Sequence, residues 1–284
     1  MRYHVKYHSL LTFDSPISEQ QVELRLLPRS DDHQKLISSS LRIHVDVPMF
    51  SHRDAFGNEV RSFTLIPAHD KLEIHLDAEV ENNLTNPFDH DMISPEEERT
   101  AIQKLLKTEP RQWNFLLPSE ASVPELENML HSKSWPRYDP EKNLIYSVQN
   151  AMDWMKKEFQ YESGATIVHG ALEDFLKKRS GVCQDFTHLL IALIRHWGFP
   201  ARYVMGYQYL QESDSPPATH AWVEVYLPGS GWRGFDPTHA LLANQSYIAV
   251  AVGRNSKDAA PERGSFKGAL SAGSPQLDLV VSQQ

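Results

Sequence analysis

Four stretches in the first 85 residues, RYHVKY, QVELRLL, LRIHVDV and KLEIHLDAEV, alternate apolar and polar side chains. A period of two cannot make an amphipathic helix; it puts one face of an extended strand on a core and the other in water. FDSP, PRSDDH and DAFGN lie between these stretches and read as turns, with Gly57 and Asn58 suited to positive φ. Residues 1–85 are therefore expected to form a small antiparallel β-sandwich. His4, His8, His44 and His75 fall in its strands without HxH or HExxH spacing, so they are expected to be half-exposed strand residues rather than metal ligands.

At 284 residues the chain has room for about two domains. Its net charge of −9, with scattered basic residues, argues against a nucleic-acid partner. A single cysteine rules out an internal disulfide, so no oxidising compartment is required. MRYHVKYHSLLTF has no apolar core of signal-peptide type, and no run approaches the ~20 residues needed to span a bilayer. A soluble, cytoplasmic protein with no membrane partner is expected. Oligomeric state is left open.

The pattern changes over residues 86–142. Ser94-Pro95 before three glutamates begins a helix from about Pro95 to Lys107. A proline-rich connection with a short helix near Val123 to His131 follows. Asp89, His90 and Asp91 read as a solvated turn, since neighbours in an extended chain point to opposite faces. Residues 143–284 are mixed α+β. Ile145, Val148, Met152, Met155 and Phe159 mark one amphipathic helix, and Ala171, Phe175 and Leu176 a second. Phe186, Leu189, Leu190, Leu193, Ile194 and Trp197 share a face of a third, which Gly198 and Pro200 end. ARYVMGYQYL, HAWVEVYL and WRGFDPT follow as strands, with PGSG as the turn between the last two, and YIAVAV and QLDLVV are strand-like. The connection around residues 256–263 is expected to border the functional cleft.

The one cysteine, Cys183, sits in the first turn of the third helix. By residue type alone it is a small buried hydrophobe. Its position suggests other chemistry, because free N–H groups and the helix macrodipole favour negative charge there. A thiol attacks as the thiolate, and a nearby imidazole would stabilise that ion and later supply a proton. His188 is turned about 140° from Cys183 around the helix and His196 lies too far along it, so both read as surface or capping residues. His220 starts a strand whose hairpin partner carries Asp236. With Leu227 opposite Gly231, Trp222 faces Asp236, which makes His220 and Asp236 diagonal neighbours on one face. A one-residue slip would separate them.

GVCQDF, GFPARYV, HAWVEVY and GWRGFDPT occur in that order. Together they closely resemble the core of the transglutaminase-like superfamily, and in particular the bacterial transglutaminase-like cysteine proteases. The strands around DAFGN and the tail YIAVAVGRNSKDAAPERGSFKG resemble the flanking regions of that group, so the likeness covers nearly the whole chain. It implies a papain-like domain over residues 143–284, C-terminal strands included. It further implies Cys183 as nucleophile, His220 as general base and acid, and Asp236 as the orienting carboxylate. The Cys183 backbone N–H is implied as one oxyanion donor. The tryptophan that better-known relatives place upstream has its counterpart either in Trp154, on a helix and readable as core, or in Tyr161 as a second donor. No acidic calcium loop is present, and neither a cofactor nor a metal is expected. The implied activity is acyl transfer from an amide of a peptide or protein substrate through a thioester, most simply hydrolysis. Transfer to an amine, a deglycosylating amidase and a non-catalytic peptide-binding module are the alternatives.

Overall fold

The structure is a computed structural model that describes residues 1–89, 93–117, 135–162, 172–211, 218–268 and 272–284. The helix expected near Val123 to His131, and the proposed turn residues His90 and Asp91, lie outside these residues. Strands β1 (Arg2–Ile17), β2 (Glu19–Leu24), β3 (Gln34–Ile43), β4 (Phe50–Arg53), β5 (Glu59–Leu65) and β6 (His69–Asn82) make up the N-terminal part. Alternation translates directly into burial. On β6 Leu72, Ile74, Leu76, Ala78 and Val80 are all buried, facing Tyr3, Val5 and Tyr7 of β1 within one apolar cluster.

Helix α1 (Pro95–Thr108) begins with a reciprocal cap, Glu97 N–H to Ser94 Oγ at 3.3 Å and Ser94 N–H to Glu97 Oε2 at 2.8 Å. The third glutamate has a different job. Glu98 is buried and accepts the Leu144 N–H at 2.8 Å, which satisfies the start of α2 (Leu144–Glu158). Short strand β7 (Gln160–Tyr161), helix α3 (Leu172–Lys178) and β8 (Ser180–Gly181) lead into α4 (Cys183–His196). α4 is apolar on more than the expected face: Ile191 and Ala192 are buried too, because other elements cover the helix all round. It stops where Gly198 takes φ 88°, letting Gly198 N–H reach Arg195 O at 2.9 Å.

The remaining strands are β9 (Ala201–Gln208), β10 (His220–Leu227), β11 (Gly231–Asp236), β12 (Leu241–Leu242), β13 (Tyr247–Gly253), β14 (Glu262–Lys267) and β15 (Gln276–Gln283). β12-β11-β10-β9-β13 form an antiparallel sheet against which α4 packs. The sandwich sheets run β15-β1-β6-β3 and β14-β2-β5-β4. The C-terminal strands, which the sequence places with residues 143–284, thus pair with the N-terminal strands. Alternation shows which face of a strand is buried but says nothing about which strand lies beside it.

β13 is an edge strand, and the N-terminal part supplies side-chain amides in place of its missing neighbour. Gln34 Nε2 donates to Ala249 O at 2.9 Å and its Oε1 accepts Ala249 N–H at 2.9 Å. Asn58 repeats the pairing with Val252, at 2.7 and 2.8 Å, and Asn82 Nδ2 reaches Tyr247 O at 2.9 Å. In the DAFGN turn only Gly57 has positive φ, 77°. Asn58 is wholly buried and serves both the turn, where its Nδ2 donates to Asp54 Oδ2 at 3.0 Å, and the contact with β13.

Candidate active site

Gly181 allows α4 to start on the cysteine. A Cβ there would meet Asp185 Oδ2 at 2.5 Å and the Phe175 ring at 2.6 Å. That close approach lets Asp185 accept the Val182 N–H at 2.9 Å, locking the turn that presents Cys183. Cys183 is half-buried, and as the first helical residue it has an N–H without an intrahelical acceptor.

The β10–β11 hairpin has the expected register, with Leu227 opposite Gly231, Tyr226 opposite Trp232 and Val223 opposite Phe235. His220 and Asp236 consequently share a face, and His220 Nε2 donates to Asp236 Oδ2 at 2.8 Å. This leaves Nδ1 for Cys183, whose thiol lies within hydrogen-bonding reach of the ring. Trp222 lies beside the imidazole, ring centres 6.2 Å apart and planes 28° from parallel. The buried indole fits because Gly206 and Gly234 flank it; a Cβ on Gly206 would strike the indole at 2.5 Å and would also run into the Ile248 carbonyl.

Two residues not singled out in the sequence complete the surroundings of Asp236. His239 Nδ1 lies 2.7 Å from Oδ2, and the Tyr247 hydroxyl donates to the same oxygen at 2.8 Å, while Oδ1 accepts the Thr238 N–H at 2.9 Å. The signal for His239 was available in DPTH, a turn that brings a side chain back to the aspartate three residues earlier. Tyr247 comes from β13, and nothing local connects it to the hairpin.

These contacts set the charges. Burial by itself would lower the His220 pKa, but its bonds to Asp236 and Cys183 and their charges prevail and raise it to about 10. Burial would likewise raise Asp236, yet donation from His220 and His239 holds it well below the usual carboxylate range. Burial pushes Tyr247 up, reinforced by the charge of Asp236, so it remains a neutral donor. The ligand-type atoms of His220, Asp236 and His239 lie within 4.8 Å of one another. By distance alone they could surround a cation, but the shared Asp236 Oδ2 already accepts three donors, so the group reads as a hydrogen-bonded assembly.

Tyr161 is exposed and pairs with Gly181, two residues before the cysteine. The residue is exposed overall, and partial burial of its phenol, followed by the charges of Cys183 and Asp236, raises its pKa. Trp154 belongs to the core, its ring 4.9 Å from Trp135 and 5.6 Å from Phe159. His188 differs from the surface position expected of it. It is buried beneath the 254–258 connection and accepts the Ser256 N–H at 3.1 Å. That connection is therefore held against α4, beyond the turn that carries Cys183.

The model of the transglutaminase-like superfamily matches residues 136–237, a span that contains Cys183, His220 and Asp236. The bacterial transglutaminase-like N-terminal region matches residues 3–81. The chain belongs to the transglutaminase-like superfamily. An uncharacterized protein of Mycobacterium leprae is 28% identical to this transglutaminase-like chain over 99% of its length and 97% of the relative's. A protein-glutamine gamma-glutamyltransferase of Pseudomonas aeruginosa is 37% identical, over 28% of this chain and 15% of its own. A Cytophaga hutchinsonii protein, proposed to be a cysteine protease, shares the fold with a TM-score of 0.77 at 24% identity, over 100% of this chain and 92% of that one. The transglutaminase-like core thus follows an N-terminal β-rich region in one mixed α+β chain.

Proposed function

We propose that Cys183, His220 and Asp236 act as a catalytic triad that cleaves amide bonds of a peptide or protein. The observation that carries this reading is the His220 ring, bonded on one side to a buried carboxylate and within reach of the one thiol on the other. Sγ attacks the carbonyl carbon, and the tetrahedral oxyanion is met by the Cys183 N–H, with Tyr161 as the second donor. The C–N bond breaks as His220 gives its proton to the departing amine. Water then attacks the thioester, His220 takes the water's proton, and the acid is released with the thiol free again. Asp236 holds the imidazole in place and stabilises its cation throughout. Hydrolysis is favoured because Cys183 is only half-buried and lies near exposed Tyr161, so water reaches the thioester. The lone cysteine supports a cytoplasmic setting. The helices that the structure describes include none long and apolar enough to cross a membrane.

Because the chain has one cysteine, iodoacetamide labelling reports on Cys183 alone. The parent protein is expected to label in mildly acidic solution, where His220→Ala loses that reactivity and Asp236→Ala keeps more of it but turns over poorly. Superimposable profiles from pH 4 to 9, matching a free cysteine, would refute activation and favour a binding module. A peptide library assayed with and without methylamine separates the acceptors: an acid product in both supports hydrolysis, and amine incorporation assigns transfer.

A further inference from the structure

The face of the β15-β1-β6-β3 sheet that is turned away from the core carries a second cluster, far from the triad in sequence and built from histidines that linear spacing gave no reason to group. His8 of β1 pairs directly with His75 of β6, and Glu73 of β6 pairs with Leu10, which makes it the diagonal neighbour of His8. His8 Nε2 and His75 Nε2 each lie 3.1 Å from the same atom, Glu73 Oε1. The two rings stack with centres 4.4 Å apart and planes 11° from parallel. We propose that His8, His75 and Glu73 form a binding site for a divalent transition cation, with Zn²⁺ the best fit.

Three observations carry the proposal. The first is spacing. A zinc ion about 2.1 Å from each ligand atom separates two of them by roughly 3.4 Å at the tetrahedral angle and about 3.0 Å at a right angle. The observed 3.1 Å separations fall within that range, and all three ligand atoms lie within 4.8 Å of one another. The second is protonation. Without a cation, two Nε2–H groups must converge on one carboxylate oxygen from stacked rings, and one metal ion replaces both protons at that point. The third is the outer shell. Asp278 of β15 pairs directly with His8, and its Oδ2 lies 3.5 Å from His8 Nδ1, at the long end of hydrogen-bond distance. A carboxylate on Nδ1 selects the tautomer whose Nε2 lone pair is free for a metal. Lys71 Nζ, 3.7 Å from Glu73 Oε2, occupies the other carboxylate oxygen and leaves Oε1 directed at the rings.

The donor set defines the class of ion. Two imidazoles and a carboxylate suit zinc, nickel or copper, whereas calcium and magnesium take oxygen ligands. Because the ligands stand on neighbouring strands of one sheet the backbone can stay in place, while the stacked rings turn about their side-chain torsions so that both Nε2 lone pairs converge on the ion. Bound metal would join β1 to β6 and, through Asp278, bias β15 towards its place at the edge.

Full-length protein free of added histidines is titrated with ZnCl₂ by calorimetry, and its thermal midpoint is followed with and without the metal. We expect one zinc per chain and a midpoint that rises with zinc and falls back with EDTA. His8→Ala and His75→Ala should each weaken binding by at least about tenfold and remove the zinc-dependent shift, while Asp278→Asn weakens it less. The metal-free midpoints of these surface variants serve as the folding control, with Glu73→Gln as a third ligand variant. No binding at about 100 µM zinc would overturn the site. So would binding that survives His8→Ala and His75→Ala but is lost in Cys183→Ala or His239→Ala, which would assign the ion to the triad region.

Discussion

Asp236 is fully buried and receives four hydrogen bonds, so the protonation of the whole site depends on one carboxylate. The pH window follows from its two shifted groups. Asp236 is depressed below 3.8, so its contribution to stability is complete above that value and lost as pH falls through the folded one. His220 is raised from 6.5 to about 10, so its contribution is complete below 6.5 and lost as pH climbs through about 10. The pair therefore stabilises most between these limits. Asp236→Asn should cost about 3–5 kcal/mol in urea unfolding at pH 5.5, with a smaller difference above pH 10. Tyr247→Phe removes a single donor and leaves the buried carboxylate less well satisfied, so a loss of about 1–3 kcal/mol is expected in urea unfolding at about pH 7. At this scale the sequence was informative wherever local rules apply: a helix start located Cys183, and hairpin register brought His220 to Asp236. It was silent on Tyr247, whose contact with Asp236 depends on how β13 docks.

Among the elements, β13 joins the two halves of the molecule. Gln34, Asn58 and Asn82 present their amides as a neighbouring strand would present its backbone, and Ala249 and Val252 each find both a donor and an acceptor. Asn58→Ala would leave Val252 N–H and O buried without these partners, and should destabilise by about 2–4 kcal/mol in chemical denaturation. Gly206→Ala tests the other side of the same sheet. Its Cβ meets the Trp222 indole and the Ile248 carbonyl, so a loss of about 1–3 kcal/mol is expected, with slower turnover because Trp222 flanks His220. The period of the sequence revealed α2, α3, α4 and most strands, since each buries a continuous face, while α1 was marked by the cap chemistry at Ser94-Pro95. β4 escaped because all four of its residues are exposed, and β5 because it follows a turn whose buried asparagine looked like turn chemistry. Amide pairing across sheets leaves no periodic trace.

For the whole molecule, the first and last strands are partners. β15 pairs with β1 over eight residues, β14 pairs with β2 over six, and Gln284 N–H reaches Arg2 O at 3.0 Å. Ending the chain at Pro261 would expose β1 and β2 as open sheet edges. That truncation should lose cooperative unfolding and aggregate, and calorimetry with light scattering would detect both. During translation the same arrangement governs timing. β1 and β2 leave the ribosome well before β14 and β15 and must wait, with those edges unpaired, until these two strands are made, so the N-terminal sheets cannot be finished before the core lying between them in sequence has been synthesised. A nascent chain of this design needs shielding for most of its synthesis, whereas a circular permutant joining residue 284 to residue 1 would bring β15 and β1 together as neighbours in sequence and shorten that exposure.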